Sequence, residues 1–267
     1  MKQLATTVAM CTTVTVFRTV PALADSDADE RRQAADNANN PLPPKTQLHV
    51  KPSYTFPNGS SRYTAELLFE PLLRYDGFLI PDLRVAGFSS VARVQISAES
   101  LENAEGPASG LADLTFVDVV ARAFGPIHAG LGYGAVFPMA TSPSLGQGKL
   151  QLGPAATVRI EPASWLKIAA LTQVIWSVAG SCQSPDLAYV SVQPFITVHL
   201  PEAMIIESNA PMKFYWRGTG STLPVNLGFG HAFSSRFVGE VQGWYTLADE
   251  GQNDIKLLLF LNFQSAD

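Results

Sequence analysis

Arg93, Asp118, Arg122, His128, Lys149, Arg159, Lys167, Gln193, His199, Glu207, Lys213, Glu240 and Lys256 are polar residues whose placement could do chemistry. All lie in extended, alternating segments, and period-two geometry assigns them to the face without large apolar side chains. If that face is the inside of a closed sheet, these residues line a lumen. The set leans basic, although the chain has a formal net charge of −5; on the same face Arg62 and Arg74 offset Glu66 and Glu70. Such a wall can select small anions or zwitterions. It can equally be an ion-pair network filling a narrow barrel, because charge inside a membrane protein must face water or an opposite charge.

The four histidines raise nucleophilic chemistry as an alternative. A lipid-hydrolysing barrel needs a serine within hydrogen-bond reach of a histidine. Ser53 shares a face with His49 but lies ~13 Å further along at ~3.3 Å per residue. Ser234 would point to the face opposite His231. His128 shares the inward face with Gly130, Gly132 and Gly134, a run that leaves space in the lumen, and reads as a hydrogen-bonding lumen residue. No HExxH, CxxC or paired-aspartate pattern occurs, so no metal or other cofactor is expected. The string GLGYG has no helix after it and is no nucleotide loop. No catalytic residue is assigned, and the chain is not expected to be an enzyme.

The elements that must position these residues are strands. Residues 148–161, GKLQLGPAATVRIE, set Lys149, Gln151, Gly153, Ala155, Thr157, Arg159 and Glu161 against Leu150, Leu152, Pro154, Ala156, Val158 and Ile160. Alternation of this kind recurs in twelve segments, 46–56, 62–75, 88–99, 111–124, 127–138, 149–160, 165–178, 187–200, 203–216, 223–233, 236–247 and 254–263. Most exceed the ~5–6 residues of a soluble strand and suffice for the ~9–11 of a tilted membrane strand. Short turns at Gly125-Pro126, 161–164, Pro201-Glu202 and Ser234-Ser235 alternate with longer links at 57–61, 100–110, 139–148, 179–186, 217–222 and 248–253. Only 76–87 is long where a turn is expected. Outer-membrane barrels have this asymmetry, with short periplasmic turns and longer outer loops. The expected fold is all-β, a transmembrane up-and-down antiparallel β-barrel of about 12 strands over residues 46–267, with both termini periplasmic. Tyr63, Tyr75, Trp176, Trp216, Tyr245 and Phe263, near segment ends on the apolar register, make an interfacial girdle. Pro154 and Pro194 predict a bulge or bend each, because proline donates no ladder hydrogen bond.

Composition agrees with a barrel. Only 15% of the chain is charged against 46% hydrophobic, and mean hydropathy is +0.11. Yet no uncharged apolar run approaches the ~18–20 residues of a spanning helix. Residues 1–24 read as an export signal, with Lys2 as the basic start, an apolar stretch to Phe17 and the small-x-small site Ala22-Leu23-Ala24. Removing them takes away Lys2 and Arg18 and makes the chain more acidic, which excludes an electrostatic case for nucleic acid. Cys11 goes with the signal, leaving Cys182 without an internal disulfide partner. Residues 25–45 form a polar leader: a solvated linker, the favoured reading, or a short plug helix ended by Pro41, Pro43 and Pro44.

GLADLTF from Gly110 and GPIHAGLGYGAVFPMATSPSLGQGKLQLGPAATV from Gly125 resemble the Gram-negative outer-membrane transporter-like barrels of the MetA-pathway of phenol degradation type. The matching residues are Gly132, Gly134, Pro138, Ala140, Thr141, Leu145, Gly146, Gly148, Lys149, Gly153 and Pro154. Ile175-Trp176-Ser177, Ala179-Gly180, Gln193-Pro194-Phe195, Trp216 and Leu223-Pro224-Val225 match further on. Ala112 stands where the family has a second glycine before Asp113, and Gln264 to Asp267 follow the aromatic Phe263. The resemblance implies a channel or transporter-like role extending to apolar or aromatic compounds. Outer-membrane lipid, the barrel-insertion machinery and an unidentified small solute are then the partners. A lipid hydrolase and a structural barrel with a filled lumen are the alternatives. The two faces of one strand supply a test: Ile196→Arg should be poorly tolerated, and Thr197→Arg should fold nearly normally.

Overall fold

The computed structural model describes residues 22–57, 64–75, 87–103, 106–218, 220–248 and 253–266. The strands are β1 (Gln47–Pro57), β2 (Thr64–Tyr75), β3 (Phe88–Asn103), β4 (Gly106–Leu111), β5 (Leu114–Phe124), β6 (Ile127–Phe137) and β7 (Lys149–Ala163). They continue as β8 (Leu166–Gly180), β9 (Ala188–His199), β10 (Met204–Ser208), β11 (Met212–Arg217), β12 (Thr222–Ser234), β13 (Phe237–Ala248) and β14 (Asn253–Gln264). β4 and β5 are successive partners of β3, and β10 and β11 of β9, so each pair is one interrupted wall strand. The wall is therefore a closed antiparallel barrel of twelve strands. β1 closes it on β14, from Gln47 opposite Gln264 to Pro57 opposite Asp254. The two ends of the wall thus lie at one rim, the short-turn rim. The expected export signal lies outside the described residues except for its last three, and so do Arg62, Tyr63 and most of the links at 57–61, 76–87 and 248–253.

Prolines shape the wall differently from the bulges expected of them. Ser208 faces Ile196 and Met212 faces Val192 in one unbroken register, so the gap between β10 and β11 lies across from Pro194. The proline keeps its own strand straight and interrupts its neighbour, which loses a donor there. At Pro154 the pairing of β7 with β8 lapses and resumes in the same register; the actual shifts fall between Leu150 and Gln151 and between Ile160 and Ala163. The expected link at 100–110 is instead a hairpin, with β3 running on to pair with β4.

The outside is apolar. Leu131 is 74%, Leu227 66% and Val241 64% exposed, while the inward Gln151 and Asn262 are wholly buried. A sheet that exposes its leucines and buries its amides is inverted relative to a soluble protein and suits a lipid surround. Trp176, Trp216, Tyr245 and Phe263 are exposed on the same outer face.

Residues Ala22–Ala38 form a helix, α1. Arg31–Asp27 (3.2 Å) and Arg32–Asp29 (3.8 Å) pair along its exposed half. It ends before Asn39-Asn40-Pro41, since a residue preceding proline disfavours the helical region. Its C-terminal half is buried inside the barrel rather than solvated. Ala34, Ala35 and Ala38 pack on Ile205, Ala232, Val238 and Phe260, and their small side chains let the helix lie close against the wall. Leu42, just beyond, joins an apolar cluster with Val91, Val117, Val119, Leu171 and Phe195.

Candidate functional site

The lumen is divided by the segment that follows α1. The carbonyls of Ala34, Asn37 and Ala38 accept hydrogen bonds from Gln264 (2.7 Å), Gln47 (2.8 Å) and Asn262 (3.3 Å). Those of Asn37 and Ala38 are among the carbonyls at the last turn of a helix that lack an i+4 partner, and amides of the wall bond all three. Asn39 donates to Glu240 at 3.0 Å and accepts from Asn209 at 3.4 Å. Asn209 also donates to Glu207. Asn226 in turn accepts the backbone N–H groups of Asn209 (2.7 Å) and Ala210 (2.8 Å), which tie the gap between β10 and β11 to β12.

Below this layer, Asp36 pairs with Lys167, and its Oδ1 lies 2.9 Å from His199 Nε2. Burial would raise the Asp36 pKa, but the bonds to His199 and Lys167 outweigh it and hold the carboxyl below its ordinary value. A depressed carboxylate pKa stabilises the folded state above the unfolded pKa, and that stability is lost as pH falls through the folded value. The anchor is therefore complete at neutral pH and weakens below the ordinary carboxylate range of ~4. Asp36→Asn should speed amide hydrogen exchange over residues 34–38 at pH 7. Unchanged protection there would remove Asp36 from the anchor.

Above it, Glu70 is 1% exposed and forms a hub. Its Oε1 accepts from His49 Nδ1 (2.8 Å) and Lys51 Nζ (3.0 Å), and its Oε2 from Arg93 Nη2 (2.9 Å) and Gln95. Arg93 Nη1 reaches across the lumen to Gln193 Oε1 at 3.0 Å, and Gln193 donates to the Asn209 carbonyl at 2.9 Å. Nearer the long-loop rim, Glu66 accepts from Lys256 (2.6 Å), Ser97 (2.8 Å) and Ser53 (3.2 Å).

Free space follows this layering. A cavity of about 440 Å³ toward the long-loop rim is bordered by Glu66, Arg93, Gln173, Tyr189, Lys213 and Lys256. One of about 590 Å³ toward the short-turn rim is bordered by Asp36, Arg74, His128, Arg159, Glu161 and Lys167. Around Asn39, Asn40 and Pro41 the gaps shrink to about 10 Å³ each.

Most residues assigned to the lumen from alternation do face it. Arg93, Gln193, Glu207 and Glu240 build the constriction; His128, Arg159, Lys167 and His199 surround the lower cavity or its anchor; Lys213 and Lys256 border the upper cavity. Lys149 pairs with Asp186 at 2.9 Å near the long-loop rim. Asp118 does not point inward, and Arg122, although it borders the lower cavity at its rim, is exposed. Val117, Val119 and Ala121 take the inner face of β5, where they pack with Leu42. Asp118 lies outside, accepting from Tyr75 Oη at 2.6 Å, and Arg122 stacks over Phe88 and Phe124. In FVDVVARAF both faces are largely apolar, so charge is a poor guide to register there. The glycines beside His128 leave no space either: a Cβ at Gly132 would collide with the Asp118 carbonyl, and one at Gly134 with the Gln173 amide. Of the hydrogen bonds among described side chains, none joins a histidine to a serine: His49 bonds Glu70 and Gln47, and Ser53 bonds Glu66.

Asp113 has a role that its position in the sequence motif does not disclose. It stands at the gap between β4 and β5 and accepts the backbone N–H groups of Ala140 (3.1 Å) and Gln147 (2.7 Å). Thr141 bonds Leu111 (3.0 Å), and Leu145 is buried. Asp113 and Leu111 thus hold the 138–148 loop, whose Leu145, Gly146 and Gln147 border the upper cavity.

No family model and no curated protein sequence matches the chain. Among solved structures, an outer membrane channel from Pseudomonas putida F1 is similar at 13% identity and a TM-score of 0.66, over 86% of this chain and 98% of that one. Outer membrane phospholipase A from Escherichia coli aligns over 87% and 98% at 12% identity and a TM-score of 0.49. The KdgM porin aligns over 82% and 99% at 10% and 0.48. At these identities the likeness to the channel is one of fold. Fold and exterior together make this chain a transmembrane β-barrel.

Proposed function

We propose that the chain is an outer-membrane channel for small solutes, with its own leader segment seated in the lumen as a plug. The observation that carries this reading is the pair of cavities of about 440 and 590 Å³, separated by a short layer around Asn39–Pro41. A structural barrel would be filled by its wall, as eight-stranded barrels are; twelve strands enclose more than their side chains occupy. Here a tethered segment takes up the remainder, held by hydrogen bonds and small apolar contacts that can be exchanged for water. The export signal supports cleavage after Ala24, with both termini periplasmic and the plug entering from that side. Outer-membrane lipid and the insertion machinery are then the partners. The family resemblance extends the solutes to apolar or aromatic compounds.

Deleting residues 25–44 behind the same signal should leave a folded barrel, because the wall's own pairing is closed without them. In planar bilayers the deletion should raise single-channel conductance several-fold over the intact mature chain. Equal, negligible conductance of both would favour a barrel that is only structural.

A further inference from the structure

The upper cavity contains one half-buried cation without an anion among the described residues. Lys51 and Arg93 meet Glu70, and Lys256 meets Glu66. Lys213, on β11, has neither an ion pair nor a hydrogen bond among the described residues; its Nζ lies 5.4 Å over the Tyr189 ring. Tyr189 in turn packs against Tyr215, with the rings tilted and 4.9 Å between centroids. Strand register fixes the depth. Lys213 faces Ser191, two residues from Gln193, the residue that Arg93 grips across the constriction. Glu99, an acid of the same cavity with no ion pair among the described residues, lies six residues beyond Arg93 on β3, much nearer the long-loop rim. An ion drawn into the cavity therefore meets Lys213 near the floor, beside the Tyr189 ring.

We infer that Lys213 and Tyr189, with Tyr215 packed behind Tyr189, form a binding site for a small organic monocarboxylate with a planar or apolar body, which deepens the channel reading by naming a solute class. A carboxylate supplies the partner that a desolvated ammonium lacks, through a charge-assisted hydrogen bond. The tyrosine pair accepts a ring by offset or edge contact. The cavity volume of about 440 Å³ is ample for a one-ring acid. A dianion fits poorly, since Glu99 and Asp113 border the same space and only one cation is uncompensated.

Calorimetric titration of the intact folded barrel in detergent with benzoate, and with benzyl alcohol as the uncharged counterpart, tests this without requiring conduction. Benzoate should bind, Lys213→Met should weaken it about tenfold or more, and Lys213→Arg should keep most of the affinity. Benzyl alcohol should bind weakly to all three. Heat-modifiable gel migration checks that each variant is folded. Absence of benzoate binding, equal binding of the alcohol, or indifference to Lys213→Met would each overturn the site. Lys213-dependent binding in a barrel that passes no current would sink the channel reading alone. A conducting barrel that ignores benzoate would sink this inference alone.

Discussion

Ile196→Arg should destabilise the folded barrel by ~2–4 kcal/mol, the depth-dependent cost of a cation on the lipid face. Ile196 is 43% exposed on β9, between the inward Phe195 and Thr197, both buried. Its guanidinium would enter hydrocarbon unless the side chain reached a headgroup. The natural comparison at Thr197 fails for a structural reason. Thr197 lies under Asn39, Asn40 and Pro41, so an arginine there displaces the plug instead of finding water. The expectation that Thr197→Arg folds nearly normally is therefore replaced. Gln173, across the β8–β9 pairing from Ser191 and bordering the upper cavity, is the proper inward control. Urea unfolding of the barrel refolded into vesicles should show a marked loss for Ile196→Arg and little for Gln173→Arg. Equal behaviour would contradict the assignment of the two faces.

The wall was legible in the sequence because a barrel writes its geometry locally. Every strand of GKLQLGPAATVRIE type states which way each side chain points, and loop lengths state how strands alternate. The plug was not legible for the same reason. DERRQAADNANN has no apolar face strong enough to announce burial, and its buried side is three alanines with Asn37, Asn39 and Asn40. Its partners are amides, Gln47 on the first strand and Asn262 and Gln264 on the last, and the last two meet it only once the barrel closes. β5 misled because both its faces are apolar, one toward lipid and one toward Leu42. The Asp113 latch was visible as a motif but not as a contact, since it joins a strand gap to a loop about 30 residues away. Strand pairing thus carries information along the chain, whereas lumen contents depend on which walls end up opposite one another.

Glu70→Ala should be the most damaging of the lumen substitutions. Removing one partner of a buried ion pair strands the other charge and costs ~3–5 kcal/mol. Here Lys51 and Arg93 are both left in place, with side chains only 12% and 11% exposed. Glu66→Ala is the informative contrast, since Glu66 and its partner Lys256 are 20% and 24% exposed beside the open cavity. Water can solvate that lysine once the carboxylate is gone, so its loss should approach the ~0–1 kcal/mol of an accessible pair. Adding Arg93→Met to Glu70→Ala should recover part of the stability, because one stranded cation leaves with it; the non-additivity of the cycle measures the coupling. The same substitution bears on permeation. Lys51 and Arg93 lie just above Asn39–Pro41, and without Glu70 their charge is felt by any ion at the constriction. Reversal potentials across a salt gradient should then move toward anions in Glu70→Ala and stay near the parent value in Glu66→Ala. If the two variants unfolded at the same urea concentration, the hub would be no more than a solvated cluster, and the layer that divides the two cavities would have to be held by the plug alone.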